Sequence, residues 1–241
     1  VYKRQVLKHV CIDEFQDFSE LFHRLIDALR EANPTISFFC VGDDWQAING
    51  FAGSELRFFE NFDEYFGVSE HRAIPANYRS AKAIVNTGNA LMHDRGVPGR
   101  ANAERLGRVW TLDMGKFKPS LTELQRYPGD VITPLAGRLA HKFLQAGKAV
   151  VMLARRNGLP WYVKANDGKS TVNSLDGFLA GIRAMMPEDK RDLVTISTAH
   201  KFKGLEKPAV IILDALARSY PLVHPDWPFY RIFGDDPGKI T

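Results

Sequence analysis

The sequence predicts an α/β fold built on parallel strands, and three observations carry that prediction. Short, mainly apolar runs recur at residues 6–12, 36–41, 149–154, 193–197 and 209–213, the pattern of strands covered on both faces by helices. Stretches between them place apolar residues at helical spacing, as in Leu21, Phe22, Leu25, Ile26 and Leu29. The first two runs stop abruptly at polar groups, Asp13-Glu14 and Gly42-Asp43-Asp44-Trp45-Gln46. Catalytic groups of open α/β sheets gather at such carboxyl ends.

Taken in order, residues 6–12 form the first strand. Ser19 is placed to cap the helix that follows, which ends at Pro34. Residues 36–41 return as a second strand, and strand, helix, strand implies a right-handed βαβ unit. A Gly-flanked loop around Phe51 leads to a helical stretch over 55–66 and a short strand around 71–74, after which Ser80 can cap a helix carrying Ile84, Val85, Leu91 and Met92. Residues 96–129 are rich in Gly, Pro and basic residues, with a strand expected at 109–112. Thr133-Pro134 supplies a cap and a first-turn proline for a helix over 135–146 closed by Gly147. The strand over 149–154 ends in Arg155-Arg156-Asn157, where the arginines suit phosphate contact and solvated surface equally. An irregular connection over 161–171 precedes Ser174 and a periodic helix with Leu175, Phe178, Leu179, Ile182, Met185 and Met186, ended by Pro187; the methionine pair is core material.

With 241 residues and 45% apolar content, the chain can bury a sizeable core in one large or two small domains. Its 32 basic and 28 acidic residues leave a net charge of +4, which permits nucleic-acid binding without arguing for it. Cys11 and Cys40 lie in strand-like runs, are expected in the core, and suit a reduced, cytoplasmic protein. No apolar run approaches the roughly 18 to 20 residues of a membrane span. The opening lacks an initiating Met and the end trails into a polar segment, so the chain is expected to be a piece of a longer polypeptide.

The two strand ends suggest phosphate chemistry. Hydrolysis of a nucleoside triphosphate needs one carboxylate to hold Mg²⁺ and another group to position and deprotonate the attacking water. Asp13 is assigned the metal and Glu14 the water. An acidic pair after a strand also serves simply to start a turn or cap a helix, but the second polar strand end weighs against that. Gln46 can read a terminal phosphate and orient water without adding negative charge.

Asp13-Glu14-Phe15-Gln16-Asp17 and Gly42-Asp43-Asp44-Trp45-Gln46-Ala47-Ile48 resemble the second and third motifs of the UvrD/Rep-type superfamily 1 DNA helicases, and the Asp-Asp-Trp-Gln form is most similar to the helicase IV branch. Asn77-Tyr78-Arg79-Ser80 resembles the fourth motif and Thr198-Ala199-His200-Lys201-Phe202-Lys203-Gly204-Leu205-Glu206 the fifth, usually Thr-x-His-x-x-Lys-Gly-Leu-Glu. Four motifs thus occur in family order.

The resemblance implies RecA-like sheets of the P-loop NTPase type, in parts of two domains. Residues 1–75 correspond to the back half of the first. Residues 76–241 correspond to most of the second, lacking the large inserted subdomain and truncated at the C-terminus. ATP and Mg²⁺ are the implied cofactors and single-stranded DNA the implied partner, with ATP bound between the domains and translocation 3′ to 5′. Asp13, Gln46, Tyr78, Arg79 and Glu206 are expected at the nucleotide, with Glu14, Gln46 and Arg79 catalytic. Tyr78 offers a flat face for adenine, and Arg79 supplies a planar, permanently charged donor for the transition state. Phe51, Thr198, His200 and Lys203 are expected on DNA. Stacking by an aromatic such as Phe51 contributes roughly 1 to 3 kcal/mol per base.

The sequence departs from the family at Asn49, where many members carry Tyr, and at Gly50 or Ala52, where they carry Arg. No Gly-x-x-x-x-Gly-Lys-Thr/Ser loop precedes Asp13, and no sixth motif follows. The 241 residues alone are therefore expected not to hydrolyse ATP. The reading that follows is part of an ATP-dependent 3′–5′ helicase acting on single-stranded DNA in repair or recombination. The alternatives are the helicase arm of a helicase-nuclease and a degenerate single-strand-binding module.

Overall fold

In the computed structural model, residues 7–48, 53–94, 96–102, 104–128, 130–158 and 175–215 are described. The described residues fall into two compact units, one ending at residue 72 and the other beginning at residue 73.

In the first unit, β1 (His9–Ile12) and β2 (Ser37–Cys40) pair in parallel, with His9 opposite Ser37 and Ile12 opposite Cys40. The crossover is α1 (Glu20–Ala32). Parallel pairing places both carboxyl ends at one edge, and the ladder continues past the strands. The Val41 N–H donates to Ile12 O at 2.8 Å, and the Phe15 N–H donates to Val41 O at 2.9 Å.

The core here is aromatic. Phe15, Phe18, Ile26 and Phe58 are buried, with Ile12, Phe38, Cys40, Phe59, Phe62, Tyr65 and Phe66 packed around them. Phe18 meets Phe58 edge-on at 5.4 Å and Phe58 meets Tyr65 at 4.8 Å, the tilted geometries that ring quadrupoles favour. Phe58 and its neighbours come from α2 (Arg57–Glu60) and α3 (Phe62–Phe66), so the helix expected over 55–66 is interrupted at Asn61.

Among the described residues, only one face of this small sheet is covered. Ile12, Phe38 and Cys40 turn to the aromatic core, whereas alternation sends Cys11 and Phe39 outward, Phe39 being 65% exposed. Cys11 is therefore not a core residue. The burial of Cys40, with Cys11 adjacent, pushes its thiol pKa up to about 11. Both cysteines are free thiols. On α1 the expected apolar stripe is only partly used: Ile26 is buried, but Leu21 and Leu25 are exposed. Ser19 takes the N-cap position without a side-chain cap bond. Its backbone instead bridges to Ser54, and the Glu55 N–H donates to Phe18 O at 2.8 Å.

The second unit holds a three-stranded parallel sheet in the order β6-β5-β7, formed by β5 (Val150–Ala154), β6 (Val194–Thr198) and β7 (Ala209–Ile212). The central strand β5 is almost wholly buried. Against the sheet lie α6 (Ile132–Gln145) and α7 (Leu175–Arg183), whose Ala136, Ala140, Leu144, Phe178 and Ile182 form one core with Met152, Met186 and Val194.

A smaller parallel pair, β3 (Ala76–Asn77) with β4 (Arg100–Ala101), flanks α4 (Lys82–Leu91) in sequence, and α5 (Leu121–Arg126) follows. Pairing begins only at Ala76, so the strand expected around 71–74 is absent. Pro75 offers no N–H to a ladder, although its carbonyl accepts from Arg100 at 2.6 Å. The strand expected at 109–112 is likewise absent, with no neighbour pairing to it among the described residues; Val109, Trp110 and Leu112 are about half exposed. Asp130, rather than Thr133, caps α6. Its Oδ1 accepts from the Ile132 and Thr133 N–H groups at 2.8 and 3.0 Å. The connection read over 161–171, and Ser174, lie outside the described residues. Among the described residues no helix is long and apolar enough to cross a membrane.

Candidate functional site

At the strand edge of the first unit, Asp13 and Glu14 directly follow β1. Glu14 adopts a left-handed backbone, φ 53° and ψ 42°, a conformation costly for a residue with a Cβ, about 1–3 kcal/mol. Bonds to both its backbone and its side chain hold it there, and the Asp17 N–H donates to Glu14 O at 2.8 Å. Asp13 Oδ1 accepts from the Glu14 N–H at 2.9 Å, and Gln16 Nε2 donates to Glu14 Oε2 at 2.6 Å.

Gln16 is 1% exposed. Its carbonyl Oε1 accepts from the Asp43 N–H at 2.9 Å, so one side chain bridges the segments following β1 and β2. Gly42 leaves the room. A Cβ there would lie 2.7 Å from Gln16 Oε1 and 2.9 Å from Phe59 Cε2. Asp43 caps a single 3₁₀ turn, Asp44–Gln46. Its Oδ1 accepts from the Trp45 N–H at 3.1 Å and its Oδ2 from Gln46 Nε2 at 2.7 Å. Glu14, Gln16, Asp43 and Gln46 thus form a continuous polar chain.

Asp13 suits Mg²⁺. One oxygen is fixed by the Glu14 N–H and the other has no hydrogen-bond partner among the described residues. Mg²⁺ keeps several waters and takes one or two carboxylates together with substrate phosphates, so one exposed carboxylate is a sufficient protein contribution. Among the described residues, no three His, Cys, Asp or Glu side chains gather to cage a metal by themselves.

In the second unit, Asn77 at the end of β3 folds the chain back. Its Oδ1 accepts from the Ser80 N–H at 2.8 Å, and Ala81 rather than Ser80 takes the N-cap position of α4. That turn projects Tyr78 and Arg79 outward, with Tyr78 70% exposed. An open depression of about 560 Å³ is lined by Ala76, Asn77, Tyr78, Arg79 and Ser80. Arg79 Nε lies 3.5 Å from Glu206 Oε2, both side chains being well exposed.

Residues 199–204 after β6 form turns, and Gly204 at φ 78° supplies a left-handed step there. Thr198 is buried. Its Oγ1 accepts from the Lys201 N–H at 3.3 Å. His200 meets Arg155, whose Nη1 lies 3.0 Å from Nδ1 and 3.1 Å from Nε2. Arginine only donates, so this contact is a hydrogen bond only when the imidazole is neutral, with its one unprotonated nitrogen as acceptor. Partial burial and then the Arg155 charge lower its pKa from the usual 6.5.

A cavity of about 230 Å³ beside this turn is lined by Asn157, Leu175, Asp176, Ile196, Ser197, Thr198 and Lys201. Lys201 therefore faces the cavity, whereas the sequence pointed to Lys203, which is half-buried. Phe51, with Asn49, Gly50 and Ala52, lies outside the described residues. Sequence reasoning passed over Gln16, Asn77, Lys201 and the partnership of Arg155 with His200. The available signals were an amide two residues after the acidic pair, an Asn opening the fourth motif, and basic residues ending a buried strand.

Residues 2–67 match the UvrD/REP helicase N-terminal domain. The chain is similar to DNA helicase IV of Escherichia coli, 38% identical over 93 residues that cover 39% of this chain and 13% of the relative. It is also similar to DNA helicase II of Haemophilus influenzae, 33% identical over 109 residues that cover 45% of this chain and 14% of the relative. The ATP-dependent DNA helicase srs2 of Schizosaccharomyces pombe is 39% identical over 86 residues, 36% of this chain and 10% of the relative. The chain thus spans a small part of the length of these relatives. The matched residues 2–67 carry the joined strand ends with Asp13, Glu14 and Gln46.

Proposed function

We propose that the chain is part of an ATP-dependent DNA helicase that translocates 3′ to 5′ on single-stranded DNA and serves repair or recombination in the cytoplasm. The observation that carries this reading is the polar chain from Glu14 through Gln16 and Asp43 to Gln46, within a stretch that matches a helicase domain. It supports a carboxylate and an amide held ready at one strand edge, as phosphoryl transfer to water requires.

Asp13 would hold Mg²⁺, which when bound supplies positive charge to the phosphate oxygens of ATP. Glu14 accepts a proton from the attacking water, and Gln46 orients that water and reads the terminal phosphate. In the second unit, Tyr78 is assigned to the adenine face, and Arg79 with Glu206 to the phosphates and sugar. Thr198, His200, Lys203 and Phe51 are assigned to the DNA. The parallel sheets agree with a RecA-like architecture of the P-loop type.

The test is ATP turnover in the chain completed with a phosphate-binding loop and a sixth motif. Single-stranded DNA should stimulate turnover, and duplex with a 3′ overhang should be unwound in preference to one with a 5′ overhang. Glu14→Gln should bind ATP but turn it over at least a thousandfold more slowly, as expected of a group that acts on the transition state. A completed chain that binds single-stranded DNA yet never hydrolyses ATP would establish the binding-module alternative.

A further inference from the structure

We infer that Gln16 is a positioning residue that sets Glu14 and the loop carrying Gln46 at a fixed spacing, so that the water-activating and phosphate-reading groups act together. The inference rests on the proposed role of Glu14.

Four observations carry it. Gln16 is the most buried polar side chain among the described residues, 1% exposed, and an amide brought that far from water needs both its ends paired. Both are paired, each to a different strand end. The NH₂ group donates to the Glu14 carboxylate at 2.6 Å, and the carbonyl accepts from the Asp43 backbone at 2.9 Å. Neither bond stabilises regular secondary structure. The position opposite is Gly42, where a Cβ would meet the amide oxygen at 2.7 Å, so the backbone approaches Gln16 closely. Finally, the residue that receives the donated bond, Glu14, stands in a left-handed conformation that its own backbone disfavours, which makes the bond a determinant of where the carboxylate points.

The spacing is transmitted further. Asp43, whose N–H is held by Gln16, carries the carboxylate that holds the Gln46 amide at 2.7 Å. A displacement of Gln16 therefore moves both ends of the chain, and misplacement by about 1 Å is enough to cost on the order of a hundredfold in rate.

Two measurements test this. In the 241-residue chain, Gln16→Glu sets one carboxylate against another and should lower the unfolding midpoint at neutral pH; adding Glu14→Gln restores a donor–acceptor pair with reversed roles and should recover most of the loss. No recovery would overturn the bridge. In the completed chain, Gln16→Glu should lower kcat for DNA-stimulated ATP hydrolysis about a hundredfold with KM for ATP within about threefold. Gln16→Met, of similar length without hydrogen bonds, should lower it at least tenfold with the same split. Parental kcat in a folded Gln16→Met, where Glu14→Gln is inactive, would overturn the positioning role alone. Parental turnover by Glu14→Gln would instead overturn the proposed role of Glu14 and this inference with it.

Discussion

The strand ends of the two units are organised in opposite ways. In the first unit the polar groups are joined through Gln16, a buried amide at 2.6 and 2.9 Å from its partners. In the second they meet as exposed pairs, Arg79 with Glu206 at 3.5 Å and Arg155 with His200 at 3.0 Å. Hydrogen bonds to charged groups contribute about 1.5–3 kcal/mol, and a buried partner left unpaired costs as much again. An exposed ion pair contributes about 0–1 kcal/mol. The first arrangement is fixed by bonds within the chain itself. The second exchanges partners cheaply, so Arg79 can leave Glu206 for another anion at little cost.

The largest test of this contrast is catalytic. In the completed chain, Arg79→Ala should keep nucleotide affinity within about tenfold, roughly 1.4 kcal/mol. Its DNA-stimulated turnover should fall about 10³- to 10⁵-fold, the range for a supplied arginine finger. Arg79→Lys should recover little, because an ammonium cannot present the planar fork. Parental turnover in both variants would leave Arg79 as a surface cation paired with Glu206.

Stability gives a smaller but direct comparison. Phe58 is fully buried and stacks on His23 at 5.0 Å, so Phe58→Ala should cost about 3–5 kcal/mol in urea unfolding. Glu206→Gln should cost less than about 1 kcal/mol. Equal losses would remove the distinction between a packed first unit and exchangeable pairs in the second.

The smallest effect concerns His200. Its folded pKa lies below 6.5, so the unfolded chain binds the proton more readily. The stability this contributes is complete above pH 6.5 and is lost as pH falls below that value toward the folded pKa. Burial is the larger cause and Arg155 the lesser, so Arg155→Gln should raise the imidazole titration only part of the way, measured by NMR. An unchanged titration would remove Arg155 from the account.

Local readings succeeded where one residue's neighbours in sequence are also its neighbours in space. The five strands β1, β2, β5, β6 and β7 were legible to within a few residues, because a mainly apolar run has few other places to go, whereas the two-residue strands β3 and β4 carry too little pattern to be read. Met186 was legible as core for the same reason. Caps were less legible, since several oxygen-bearing residues compete for each helix start. Asp130 outcompetes Thr133 at α6, and at the fourth motif Asn77 engages the Ser80 N–H, leaving the N-cap position to Ala81. Strands misassigned at 71–74 and 109–112 had suitable residues but no partner, and a strand without a partner has no ladder.

The sequence by itself determined the five apolar strands and the longer helices between them, the polar termini of the first two strands and the family that their residues resemble. These are properties of residue type and spacing along the chain. Only the tertiary structure decided that Cys11 and Phe39 face outward, that Arg79 meets Glu206, and that Gln16 spans from Glu14 to Asp43. Each depends on groups far apart in sequence arriving within about 3.5 Å, and spacing along a chain does not encode which distant backbone N–H a buried amide will find.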